Sequence, residues 1–165
     1  DPDPQGLVER QGQRWRADER GLERIEFHMS ANPGEPPRPL ARIASGGEIS
    51  RIMLVLKEII AEQDRVSTLV FDEIDTGISG RIAAAVGKKL RALSASHQII
   101  AITHLPQIAS LAQTHFSVRK RQHQKRTITE VHLLDAAGRA EEIASLLAGE
   151  TVSEAARQQA QELLR

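Results

Sequence analysis

The sequence predicts an α/β chain: a largely parallel sheet flanked by helices, followed by a small β-hairpin. Three observations carry this reading. Ser67–Phe71 and Gln98–Thr103 are apolar runs of the kind that form strands buried on both faces of a parallel sheet. Stretches with apolar residues at helical spacing alternate with those runs. His115–Arg121 and Arg126–Leu134 then read as two strands around a polar turn. Alternating helices and buried strands define the class.

Residues 1–13 are polar, contain Pro and Gly, and read as a frayed lead-in. The opening Asp1-Pro2-Asp3-Pro4 has no initiator methionine, which points to a fragment or processed chain. Trp15–Met29 reads as a hairpin whose stronger strand is Leu22–Met29. Asn32–Pro39 holds four prolines, which fix φ and remove donors, so it reads as an ordered loop that delivers the chain to the next helix, or equally as a stiff linker. A helix opens at Ser45, with Ile49, Ile52, Met53, Leu56 and Ile60 on one buried face. Ser79 caps a second helix that places Ile82, Val86, Leu90 and Leu93 together. Pro106 suits the first turn of a short helix through Leu111. Glu141–Ala148 reads as a helix stopped by Gly149, and Thr151 with Glu154 as a capping box for a final helix to Leu164. No internal repeat is visible.

Composition narrows the classes. The 165 residues carry 22 Lys+Arg and 22 Asp+Glu, so any nucleic-acid surface must be local. The absence of cysteine excludes a disulfide framework and thiolate metal sites. Trp15, Phe27, Phe71 and Phe116 are the only aromatic residues, too few for base-stacking platforms. No apolar run approaches the roughly 18 residues of a membrane span. No signal-peptide pattern opens the chain. The expectation is a soluble, cytoplasmic protein with no membrane partner.

Four elements carry chemistry. Ser45 and Glu48 form an S-x-x-E capping box, and Gly46 and Gly47 leave bare amides at the positive end of a helix. Such an end can hold a phosphate; alone, it is equally a well-capped helix. Asp72-Glu73 ends the first apolar strand, where ligands sit in sheets of this kind. Asp72 can hold Mg²⁺, which favours few carboxylates plus phosphate oxygens. Glu73 can orient or deprotonate a water for phosphoryl transfer. Asp75–Gly80 is a turn whose glycines permit close backbone approach. His104 ends the second apolar strand, where it can hydrogen-bond a terminal phosphate or serve as a structural residue.

In this order and spacing the four elements resemble the head of ABC ATPases. Ser45-Gly46-Gly47-Glu48 is similar to the ABC signature, Leu69–Glu73 to the Walker B strand, Asp75–Ser79 to the D-loop and His104 to the switch histidine. The segments Ser30–Leu40, Phe71–Ile78 and Thr103–Gln107 resemble the RecN family, bacterial DNA-repair proteins that are SMC-like ATPases with a long coiled coil between two halves of the head. The resemblance runs from about Leu22 to the C-terminus. It divides the chain into residues 1–20, a lead-in or coiled-coil junction, and 21–165, the C-terminal lobe of an ABC/SMC-type head.

The P-loop pattern G-x-x-x-x-G-K-[ST] is missing: Gly87-Lys88 is followed by Lys89 and has no glycine five residues earlier. In such families that loop lies in the N-terminal half of the head, so the chain alone is expected to hydrolyse little or no ATP. Ser79 stands where the usual D-loop ends in aspartate, and no catalytic role is assigned to it. The resemblance implies ATP and Mg²⁺ as cofactors, held between two heads of a head-to-tail dimer. It implies that Asp72 assists Mg²⁺, Glu73 activates water and His104 senses the γ-phosphate. Ser45, Gly46, Gly47 and Glu48, with Asp75 of the D-loop, form the nucleotide-binding set, the signature capping the nucleotide of the opposite head. The implied partners are the N-terminal lobe of the same head, a second head, and DNA bound without sequence preference, ends or single strands included. The implied setting is the bacterial cytoplasm, at the nucleoid.

Arg119, Lys120, Arg121, Lys125 and Arg126 lie in a run without an acid, at the tip of the expected hairpin. They could contact phosphates without sequence specificity, or form a solvated turn. Two other classes fit parts of the pattern: another SMC-like or ABC head acting in chromosome organisation or transport, and a non-catalytic dimerisation or DNA-binding module. The proline-rich run before Ser45 and the Thr76-Gly77-Ile78 loop favour the repair family over the first. Intact Glu73 and His104 argue against the second.

Overall fold

The computed structural model describes residues 2–19, 21–23, 25–30, 34–40, 45–123, 126–149 and 151–165, with the side chain of residue 123 left aside. Contacts divide the chain into two compact units, Asp1–Ala44 and Ser45–Arg165.

In the first unit β1 (Val8–Arg10) pairs antiparallel with β2 (Gln13–Trp15), Val8 facing Trp15. Gln11 and Gly12 both take positive φ, 52° and 73°. That is the turn whose twist suits a two-residue hairpin. The hairpin therefore lies in the stretch read as a frayed lead-in, and Trp15 closes it rather than opening one to Met29. Its polar strands carry no apolar alternation, so only the Gln11-Gly12 turn marked it. β3 (His28–Met29) pairs with β4 (Arg38–Pro39), so the strand expected over Leu22–Met29 contracts to two residues. Residues 31–33 of the proline-rich stretch lie outside the described residues.

The second unit runs α1 (Gly46–Ile59), β5 (Thr68–Phe71), α2 (Gly80–Leu93), β6 (Gln98–Ala101), α3 (Pro106–Ala109), β7 (Phe116–His123), β8 (Arg126–Leu133), α4 (Ala136–Ala148) and α5 (Glu154–Leu163). β5 and β6 are parallel, in register from Thr68 opposite Gln98 to Phe71 opposite Ala101. β7 and β8 form the antiparallel hairpin, from Phe116 opposite Leu133 to His123 opposite Arg126. The α/β class holds. Among the described residues its parallel part is this one pair, and the other three pairings are antiparallel.

The main core gathers Leu54 of α1, Leu69 and Phe71 of β5, Ile74, the α2 face Ala83, Val86, Leu90 and Leu93, and Ile108 of α3. Gly87 lets α3 approach: a Cβ there would lie 2.8 Å from Leu111 Cδ1 and 3.1 Å from the Gln107 carbonyl. A second cluster joins Ala109, Ile143, Ala144 and Ala160.

Five expectations change. β5 and β6 are not buried on both faces: Val70 is 63% exposed, and Ile100 and Ile102 are also open to solvent. The α1 stripe is likewise open at Ile49, Met53, Leu56 and Ile60, while Leu54 is the apolar side chain it buries, beside Gly47. On α2, Ile82 stays exposed. A pair of strands with one helical layer has one covered face, so apolar runs written for two covers are half exposed. At the end of the chain α4 starts earlier than Glu141, because the Asp135 carboxylate accepts the Gly138 amide at 2.7 Å. α5 is capped by Ser153, whose hydroxyl accepts the Ala156 amide at 3.2 Å, rather than by Thr151.

Candidate functional site

The chemistry-bearing residues of the second unit converge where the β strands end and α1 begins. α1 opens with the capping box: Ser45 Oγ accepts the Glu48 amide at 3.4 Å, and Glu48 Oε2 accepts the Ser45 amide at 2.9 Å. The Ser45 amide, and after it the Ser45 hydroxyl that donates to Glu48 Oε2 at 3.2 Å, hold the Glu48 carboxyl below its ordinary range. The helix runs away from this point and the chain returns through β5, so the end of β5 meets the start of α1. Ser50 Oγ donates to the Asp72 carbonyl at 2.8 Å, and Arg51 Nη1 donates to the carbonyls of Ile74 (3.2 Å) and Thr76 (2.9 Å).

The loop after β5 is tightly shaped. Asp72 Oδ1 accepts the Glu73 amide at 2.9 Å. Glu73 takes φ +57°, a left-handed conformation that costs a non-glycine residue about 1–3 kcal/mol and persists only where the surroundings impose it. A turn follows, closed by the Thr76 amide on the Glu73 carbonyl at 3.0 Å. Two glycines admit this loop. A Cβ on Gly47 would lie 2.8 Å from the Glu73 carbonyl and 3.0 Å from Thr76 Cβ. On Gly46 it would lie 2.1 Å from Glu73 Oε2, so the Glu73 carboxylate rests against the first turn of α1 within the same chain.

Asp75 points the other way, into the core, and is 4% exposed. Its Oδ2 accepts from Thr103 Oγ1 (2.6 Å) and the His104 amide (2.8 Å), and His104 Nδ1 lies 2.9 Å away, an ion pair when the imidazole is protonated. Burial alone would raise this carboxyl; the bonds from Thr103 and His104, with the imidazole charge, outweigh it and hold the carboxyl below its ordinary range. The His104 side chain is largely exposed, and Asp75 holds its Nδ1 from behind. With Nδ1 beside Asp75, Nε2 is the nitrogen left for another partner.

The structure thus gathers Ser45, Gly46, Gly47, Glu48, Asp72 and Glu73 around the start of α1, with Asp75 and His104 joined on the next strand end. Sequence reasoning missed Ser50, Arg51 and Thr103, which carry the backbone and side-chain bonds of the loop. Only Arg51, a charge one turn into a largely apolar helix, left a signal in the sequence.

The basic hairpin is less uniform than its sequence. Arg119 pairs with Glu142 of α4, and Arg121 with Glu130 across the strands at 3.2 Å. Lys120 faces the opposite side by strand alternation, beside Thr129. Arg126 opens β8 and is exposed, and residue 125 lies outside the described residues. The run lacks an acid in sequence, but the fold brings two to it.

Among the described residues no group of three or more His, Asp or Glu is set to hold a metal ion, and no helix is long and apolar enough to cross a membrane.

The α/β fold has a counterpart among solved structures. It matches a solved structure, from work on ATP-driven dimerization and DNA-stimulated activation of SMC ATPases, with a TM-score of 0.50 and 20% identity, over 72% of this chain and 70% of that one. No protein-family model matches the chain. In sequence the chain is a relative of the DNA repair protein RecN. It is 47% identical over 146 residues to RecN of Halalkalibacterium halodurans, 49% over 145 residues to that of Treponema pallidum and 41% over 154 residues to that of Bacillus subtilis. These alignments cover 88%, 88% and 93% of the chain. The chain spans about a quarter of the length of these relatives, 26%, 25% and 27%.

Proposed function

We propose that the chain is the C-terminal part of an SMC-like ATPase in the recombinational repair of DNA double-strand breaks. ATP binding drives its heads to dimerise and hydrolysis resets them. The observation that carries this reading is the meeting of a glycine-opened helix start, an exposed Asp72-Glu73 strand end and an Asp75-held His104 in one loop system. Residues 21–165 form the C-terminal lobe of the head and 1–20 its junction.

The side chains present fit a nucleotide and its cation. Asp72 uses Oδ1 on the Glu73 amide, which leaves Oδ2 for Mg²⁺. A single carboxylate suits an ion that keeps water and phosphate oxygens as its other ligands. Bound Mg²⁺ and nucleotide supply charge neutralisation and the phosphoryl group itself. Glu73 takes a proton from the attacking water at its carboxylate. His104 presents Nε2 to the terminal phosphate. Ser45, Gly46 and Gly47 bind the nucleotide held by the opposite head, through hydroxyl and amides at the positive end of α1.

The partners that follow are the N-terminal lobe carrying the phosphate-binding loop, a second head, and DNA met without sequence preference through Arg119, Lys120, Arg121, Lys125 and Arg126. The setting is the bacterial cytoplasm at the nucleoid. In the full-length protein Glu73→Gln is expected to lower ATP turnover at least about 100-fold and to accumulate an ATP-bound dimer on gel filtration. Rapid turnover by that variant would contradict the assignment.

A further inference from the structure

We propose that Arg51, seconded by Ser50, is a positioning residue that ties the catalytic loop to the helix that opens at Ser45. The inference rests on the ATPase reading and adds residues to it. From Asp72 to Thr76 each backbone carbonyl has a donor. Two are served inside the loop: the Thr76 amide on Glu73 at 3.0 Å and the Ile78 amide on Asp75 at 3.3 Å. The other three are served by α1. Ser50 Oγ takes Asp72 at 2.8 Å, and one nitrogen of Arg51 takes both Ile74 at 3.2 Å and Thr76 at 2.9 Å. The helix side chains therefore hold alternate carbonyls of the segment that carries Asp72, Glu73 and Asp75.

Two further features make this more than packing. Glu73 sits at positive φ inside the held segment, a conformation that needs outside constraint, and the Arg51 bonds fall on the second and last residues of the turn that Glu73 opens. Ile74 is fully buried, so its carbonyl has no ready replacement from water once the guanidinium is gone. Any tilt of α1 on contact with a ligand at Ser45–Gly47 is transmitted to the loop by these bonds. A lysine is a poor substitute, because the two N–H bonds of Nη1 are fixed in the guanidinium plane, whereas an ammonium is a strongly hydrated point charge on a flexible stem whose donors rotate.

The test uses the full-length protein. Arg51→Ala is expected to lower kcat about tenfold or more while KM for ATP stays within about threefold, since binding groups remain and only the loop is misplaced. Arg51→Lys should recover at most part of the loss, and Ser50→Ala should lower kcat about two- to fivefold. Circular dichroism and melting identify a variant that fails to fold, in which case Ser50→Ala and Arg51→Lys decide. An unchanged kcat in folded variants, full recovery by lysine, or a rise in KM without loss of kcat would overturn the proposal. Glu73→Gln, assayed alongside, separates the two readings. Turnover insensitive to Glu73 removes the ATPase reading itself. Turnover dependent on Glu73 but indifferent to Arg51 and Ser50 removes this inference alone.

Discussion

Helices α1 and α2 are each 14 residues long and both contribute to the core around β5, yet they use their apolar stripes differently. α2 buries Ala83, Val86, Leu90 and Leu93, nearly the face its spacing predicts. α1 buries Leu54 and leaves Ile49, Met53, Leu56 and Ile60 between 40% and 45% exposed. Val70 and Ile100 of the strand pair, and Ile102 just after it, are open as well. Helical periodicity states that a face is to be covered and is silent on what covers it. α2 finds its cover within the second unit, whereas the α1 stripe stays open, and on the function proposed above the N-terminal half of the head would cover it.

The contrast can be broken by mutation. In the isolated chain Leu90→Ala or Leu54→Ala should cost about 2–5 kcal/mol, read from urea unfolding. Met53→Ala or Leu56→Ala should cost less than about 1 kcal/mol. Equal losses on the two helices would mean that the α1 face is covered in solution without any partner. Next in size, Gly87→Ala should cost about 1–3 kcal/mol, because its Cβ meets Leu111 and the backbone of α3. Gly46→Ala meets only the movable end of Glu73, so its melting temperature should stay close to that of the parent.

The smallest effects are those of pH. Asp75 has a folded pKa below the unfolded 3.8, so its contribution is present above 3.8 and fades as pH falls through the lower folded value. His115 is held below 6.5, first by burial and then by the Arg139 charge, with Glu142 opposing. Its neutral form suits the fold, so its contribution is present above 6.5 and is lost as pH falls through the folded pKa. Stability followed by denaturant titration between pH 7 and 3 should therefore fall on acidification. His115→Asn should flatten the upper part of that fall and Asp75→Asn the lower. An unaltered slope in either variant would remove that group from the account.

Much of this was legible because the features are local. The Ser45–Glu48 box needs residues three apart, the strand-end acids follow directly from an apolar run, and Pro106 marks its own helix start. The parallel pairing followed from the alternation of strand and helix. What escaped depends on distance in sequence. Asp75 meets Thr103 and His104 across 28 and 29 residues, and Arg51 meets Thr76 across 25. Glu142 and Glu130 neutralise part of a run that reads as wholly basic. The β1–β2 hairpin escaped for another reason: its strands are polar, and the Gln11-Gly12 turn alone encodes it.

The most direct measurement is ATP turnover by the 165-residue chain alone, then mixed with the N-terminal lobe, with and without Glu73→Gln. A split site with Glu73 as its catalytic carboxylate predicts no turnover alone, turnover in the mixture, and its loss on substitution. Turnover by the chain alone, or turnover in the mixture that survives Glu73→Gln, would contradict it.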